Sequence, residues 1–222
     1  NEIGFHQAAP HAGLARFWSR LELPGDARVF VPLAGKSLDL VWLAAQGHDV
    51  VGIELSPEAV RAFADENGPV DRVDLRCGDL FDLTPAALGP VAGVFDRASL
   101  VALPPDLRRR YAAQLAALTP QGARTLLVSM EYDQAKMGGP PHAVHEPEVH
   151  ALFGDTHAVE LLAREASPDL PRFAARGVDA LSEAFYLLTR RRTVPHRTPA
   201  LEVAPPHPDP RGGGEGAWRG DP

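Results

Sequence analysis

A carboxylate, Glu54, closes the apolar run at residues 50–53, about twenty residues after a glycine turn at Gly35. An acid so placed can accept hydrogen bonds from both hydroxyls of a ribose, because a ligand lies across the carboxyl ends of the strands. An adenosine-type cofactor is therefore the first hypothesis. The glycine pattern is sparse, since Gly35 stands in the turn without the rest of G-x-G-x-x-G. Gly35, Lys36 and Ser37 match the end of a phosphate-binding loop, but Phe30 occupies the place of its first glycine, which argues against triphosphate hydrolysis. Taken alone, Glu54 has an equal claim to be a solvated strand end beside an N-cap, Ser56, and a first-turn proline, Pro57. His142, His145 and His150 with Glu146 and Glu148 invite a metal reading. Their spacing matches no common zinc pattern and Pro147 interrupts it, so a histidine-rich loop is expected. Arg108, Arg109 and Arg110 read as a solvated helix face rather than an anion site.

The elements that must position Glu54 form a strand–helix–strand unit over residues 28–54. An apolar run at 29–33 passes through Gly35 and turns helical at Ser37. Leu38, Val41, Trp42 and Ala45 recur at helical spacing, and Gly47 stands where a left-handed cap is expected. An amphipathic helix is predicted over 10–21, with Trp18 in the core, and further helices over 57–67 and 105–118. Strands are predicted at 73–76, 92–95 and 125–130. This alternation predicts a doubly wound, mostly parallel sheet. The segment 136–145, with Gly138-Gly139-Pro140-Pro141, reads as a loop too rigid and polar for the core. A short helix at 147–153 precedes apolar runs at 159–163 and 184–188. No crossover helix is predicted between those two, so the last strand should be antiparallel. From residue 194 the chain is rich in proline and glycine and reads as a disordered tail, leaving 1–193 as one domain.

Composition narrows the function. The 222 residues are 45% hydrophobic and carry a net charge of −7, which gives no electrostatic case for nucleic acid or an anionic membrane and favours a small-molecule partner. A single cysteine, Cys77, cannot form an internal disulfide and fits a reducing compartment. No apolar run is long enough to span a bilayer and no signal peptide is seen, so the cytoplasm is the default expectation. No apolar stripe suggests an interface, and a monomer is expected.

Several segments in order carry a resemblance: Ile3-Gly4-Phe5-His6-Gln7, residues 31–39, residues 51–56, Cys77-Gly78-Asp79, Phe95-Asp96-Arg97-Ala98, Ala102-Leu103-Pro104, Gly138-Gly139-Pro140-Pro141 and residues 184–189. Together they resemble the bacterial branch of the thiopurine S-methyltransferase family over nearly all of residues 3–192. The resemblance implies a class I methyltransferase fold with a seven-stranded sheet, S-adenosyl-L-methionine as cofactor, and methylation of a thiol, a thiopurine sulfur or a heavier chalcogen such as selenium or tellurium. It implies cofactor contacts at Leu33, Gly35 and Glu54, and a role for Arg97 near both the methionine end and the acceptor. Asp79 falls where such folds often meet the adenine, Arg172 matches a second arginine near the acceptor, and Phe5 is expected in the cover over the pocket. Three departures stand out: a tryptophan-containing segment that members carry upstream of the lead-in lies before the start of this chain, the stretch between Phe63 and Val73 is shorter than usual, and Ala34 replaces a cysteine common in bacterial members. The alternatives are a nicotinamide-dependent oxidoreductase on the same fold class, which Glu54 would suit but the missing glycines do not, and a non-catalytic cofactor-binding remnant.

Overall fold

The computed structural model describes residues 9–192. Phe5 and the expected tail from residue 194 lie outside the described residues. Seven strands form one sheet in the order β3-β2-β1-β4-β5-β7-β6: β1 Arg28–Val31, β2 Asp49–Glu54, β3 Val73–Cys77, β4 Gly93–Arg97, β5 Arg124–Glu131, β6 His157–Ala166 and β7 Ser182–Arg190. β1 to β5 pair in parallel, whereas β7 runs antiparallel to both β5 and β6. The expected doubly wound sheet with an antiparallel last strand is the one observed.

Two apolar layers cover the sheet because successive side chains on a strand point to opposite faces. Val29, Val31, Phe95, Leu126 and Val128 pack on one face with Leu14 of α1 (Ala12–Phe17), Leu40 and Leu43 of α2 (Asp39–Ala45) and Phe63 of α3 (Pro57–Asn67). Phe30, Val94 and Leu127 face the other layer, with Leu88 of α4 (Pro85–Leu88), Tyr111 and Leu115 of α5 (Pro105–Leu118) and Phe153 of α6 (Glu146–Phe153). Both longer helices begin on proline at the first turn, where its missing N–H costs nothing. Gly47 has φ +96 and ends α2 as expected. Trp18 is in the core, its indole N–H donating to His48 Nε2 at 2.9 Å. The helix expected over 10–21 is α-helical only to Phe17, and one 3₁₀ turn, Trp18–Leu21, completes it.

Three expectations need correction. Arg108 is not on a solvated face: it is 2% exposed and donates to Leu103 O at 3.0 Å and to Glu148 Oε1 at 2.7 Å. The loop at 136–145 is not excluded from the core, because Met137, Ala143 and Val144 are buried and the Val144 amide donates to Met130 O at 2.8 Å. A helix does lie between the last two strands, α7 at Leu170–Ala174; at five residues it is too short to carry a helical period. Among the described residues no helix is long and apolar enough to cross a membrane.

Candidate functional site

The carboxyl ends of β1, β2 and β4 meet at one cavity, and three local features shape it. At the end of β1 the chain leaves the sheet through Leu33, with φ +44, and Gly35, with φ +57. The Ala34 amide still reaches across to Ile53 O at 2.9 Å, so the turn stays pinned to β2. At the end of β2, Glu54 is half-buried and accepts from two backbone amides, Gly35 N to Oε2 and Ser56 N to Oε1, both at 2.8 Å. An ionised carboxylate has about four acceptor sites, so each oxygen keeps capacity for a ligand hydroxyl. Ser56 also caps α3 by accepting from Ala59 N at 3.2 Å. The strand end is therefore no freely solvated carboxylate: Glu54 is fixed by the turn after β1 and by the residue that caps α3.

At the end of β4, Ala98 has φ +64 and Ser99 donates its hydroxyl proton to Pro32 O at 2.8 Å, which laces this turn to the one after β1. The last residue of β4 is Arg97, whose Nη1 lies 3.7 Å from Asp39 Oδ2. Asp39 is 2% exposed and accepts from His11 N and from the Ser37 hydroxyl, each at 2.7 Å. Behind Arg97, Asp96 is fully buried and accepts from the Tyr111 hydroxyl at 2.6 Å. Burial pushes the Asp96 carboxyl up to about 6, partly offset by the hydrogen bond from Tyr111.

The cavity measures about 810 Å³, within the range of small-molecule and cofactor sites. Leu33, Ala34, Ala59, Phe95 and Ala98 supply apolar wall, while Glu54, Glu58, Asp39, Lys36 and Arg97 supply charge. Three acids against two bases leave it net negative, complementary to a cofactor with a sulfonium, an ammonium and a single carboxylate. S-adenosylmethionine fits this site: Glu54 presents an oriented diol acceptor, Gly35 brings bare backbone beside it, and the apolar wall suits the adenosine and thioether portions.

Of the residues expected at the site, Leu33, Gly35, Glu54 and Arg97 line this cavity together. Asp79 does not; its exposed carboxylate accepts from Phe81 N at 2.8 Å and caps the 3₁₀ turn Leu80–Asp82. Arg172 is exposed on α7, its guanidinium 5.6 Å from the Phe173 ring, and is likewise not in the lining. Asp39, Ala98 and Ser99 were missed. The pair Ser37 and Asp39 opening a helix was a visible signal for one of them; nothing local marks the other two. The histidines at 142, 145 and 150 go to separate partners: the His142 amide donates to Val101 O at 2.6 Å, the His145 ring lies 3.2 Å from Tyr132 O, and His150 lies 3.8 Å from Glu146.

The family model described as thiopurine S-methyltransferase matches residues 1–191. A thiopurine S-methyltransferase of Azotobacter vinelandii is 47% identical over 209 residues, covering 86% of this chain and 94% of the relative. That of Nitrosospira multiformis is 44% identical over 205 residues, covering 86% and 93%. Among solved structures, the Burkholderia thailandensis 1,6-didemethyltoxoflavin-N1-methyltransferase, with 1,6-didemethyltoxoflavin and S-adenosylhomocysteine bound, superposes at TM-score 0.60 with 22% identity, covering 83% of this chain and 79% of that one. A TehB-like methyltransferase of Corynebacterium glutamicum superposes at 0.55 with 16% identity, covering 81% and 88%. The structural likenesses speak for the fold, the sequence likenesses for the lineage: the chain belongs to the thiopurine S-methyltransferase family and is an S-adenosylmethionine-dependent methyltransferase.

Proposed function

We propose that the cavity at the ends of β1, β2 and β4 binds S-adenosyl-L-methionine and that the enzyme methylates the sulfur of a small thiol of the thiopurine class, with selenium and tellurium nucleophiles as further acceptors. The observation that carries the proposal is the Glu54 carboxylate, held by two amides at the rim of a cavity that Arg97 also lines. When bound, the cofactor supplies a sulfonium-activated methyl group whose transfer neutralises the sulfonium charge. The protein is left with binding, alignment and exclusion of water.

Glu54 accepts from the ribose hydroxyls, while Leu33 and Gly35 set the backbone against which the ligand lies. Arg97 is directed to the acceptor side. A thiopurine sulfur is substantially anionic near neutral pH, so a positioned cation serves it better than a strong base, and the planar guanidinium fixes direction as well as charge. Phe95 and Ala98 keep that end of the cavity apolar, which strengthens the attraction between Arg97 and an anionic acceptor.

Calorimetric titration with S-adenosylhomocysteine and with NAD, followed by methyl transfer to 6-mercaptopurine and to selenite, tests the reading. Binding of S-adenosylhomocysteine and turnover of the thiol are expected, with Arg97→Lys lowering turnover about a hundredfold in a folded protein. Binding of NAD in its place would support the oxidoreductase alternative and overturn the proposal.

A further inference from the structure

We propose that Asp39 is the positioning residue for Arg97, holding its guanidinium on the cavity wall from a carboxylate that is itself anchored to the start of α1; this rests on the acceptor-side role given to Arg97 above. The two oxygens of Asp39 have separate duties. Oδ1 accepts from the backbone amide of His11, the residue before α1, at 2.7 Å. Oδ2 accepts from the Ser37 hydroxyl at 2.7 Å and faces Arg97 Nη1 at 3.7 Å. Ser37 Oγ in turn accepts from the Asp39 amide at 3.2 Å, so its proton is committed to the carboxylate.

A carboxylate only 2% exposed is costly without charge compensation, and its other two partners here are neutral donors. Arg97 is the cation beside it, with 11% of its side chain exposed. At 3.7 Å the contact is a charge pair rather than a hydrogen bond, so it restrains the guanidinium by electrostatic attraction. An arginine side chain carries about 2 kcal/mol of rotamer entropy, and Asp39 limits that freedom before any acceptor arrives. The anchor extends beyond the cavity: the His11 ring places Nε2 3.3 Å from Glu183 Oε2 on β7. The start of α1, the first turn of α2 and the end of β4 are thereby joined at one carboxylate.

The test is a double-mutant cycle on the full chain with Asp39→Asn and Arg97→Lys, reading melting temperature, S-adenosylhomocysteine affinity by calorimetry, and kcat and KM for 6-mercaptopurine. Asp39→Asn should lower kcat about tenfold, a larger factor than any loss of S-adenosylhomocysteine affinity, because the restraint acts on the acceptor side. In its background Arg97→Lys should cost far less than its roughly hundredfold effect alone. A lower melting temperature with unchanged kcat per folded molecule, or additive effects on kcat, overturns the proposal. If Asp39→Asn does not fold, Ser37→Ala removes the hydroxyl that orients Oδ2 and keeps both charges; a kcat lowered about threefold is expected, and an unchanged kcat overturns. A wild-type protein that binds S-adenosylhomocysteine and methylates the thiol, combined with either negative result, overturns the positioning role alone. A wild-type protein that does neither overturns the proposed function and this role with it.

Discussion

Leu33 and Ala98 follow adjacent parallel strands, both hold positive φ at +44 and +64, and both line the same cavity. Left-handed backbone costs a non-glycine residue about 1–2 kcal/mol, and such strain persists where surrounding contacts over-determine it. Here the Ala34 amide bond to Ile53 O and the Ser99 bond to Pro32 O hold the two turns. Ala98 projects only a methyl group, so it separates strain from packing. Ala98→Gly should leave the melting temperature within about 2–3 °C of wild type or raise it, since relief of strain is offset by the entropy of the unfolded glycine. Methyl transfer should fall severalfold because the turn that sets Arg97 loosens. Equal activity would show that the strain has no functional use.

Glu54, the proposed ribose acceptor, is also a structural group, which the sequence does not reveal. Glu54→Ala leaves the amides of Gly35 and Ser56 without their acceptor. We expect S-adenosylhomocysteine affinity to fall by about 1.5–3 kcal/mol, and stability of the free protein to fall by about 1–2 kcal/mol. Calorimetry and thermal melts measured on the same sample check both. A loss of affinity with unchanged stability would mean that water replaces the carboxylate at those amides.

Two buried groups give stability opposite slopes in mild acid. Asp96, pushed up to about 6 by burial, binds its proton more tightly folded than unfolded; the stability it contributes is present below pH 3.8 and lost as pH rises through about 6. His157, 1% exposed and held down to about 4 by burial and by Arg190, behaves in reverse: its contribution is present above pH 6.5 and lost as pH falls through about 4. Each is of order 3 kcal/mol over its window. Asp96→Asn should therefore compare better with wild type at pH 7 than at pH 4, and His157→Asn should compare better at pH 4 than at pH 7. Denaturant melts at both pH values test each sign, and parallel curves for either variant would remove that group from the account.

Arg108 ties α5 to the 136–145 loop and to α6 through Leu103 O, Ala143 O and Glu148. Arg108→Leu should cost about 2–4 kcal/mol, because those carbonyls lose a charged donor and Glu148, partly exposed, loses its cation. At about 2–4 °C per kcal/mol for a chain of this size, the melting temperature should drop by at least 5 °C or so. Arg109→Leu and Arg110→Leu, on exposed neighbours, should shift it by no more than about 2 °C. Equal losses for all three would sink the distinction.

What the sequence determined by itself is what short-range physics encodes. Alternation of apolar periods specified a doubly wound sheet, the first-turn prolines of α3 and α5 located those helices, and the acid at the end of β2 marked one edge of the cavity. These signals are local: a period, a ring that forbids an N–H, a carboxylate one residue past an apolar run. Tertiary structure alone decided the rest. Arg108 looks like its two neighbours until the 136–145 loop and α6 fold over it, with partners 35 and 40 residues on. The charge of Asp39 acquires meaning from Arg97 and from the His11 amide, brought together by strand order rather than by spacing. Asp79 and Arg172 had suitable chemistry and suitable places in the chain, yet one caps a 3₁₀ turn outside the cavity lining and the other lies exposed on a turn too short to be foreseen. Residue type and order say which groups a fold has available. The packing of elements distant in sequence decides which of them share a cavity, because only there are burial, charge and direction set together.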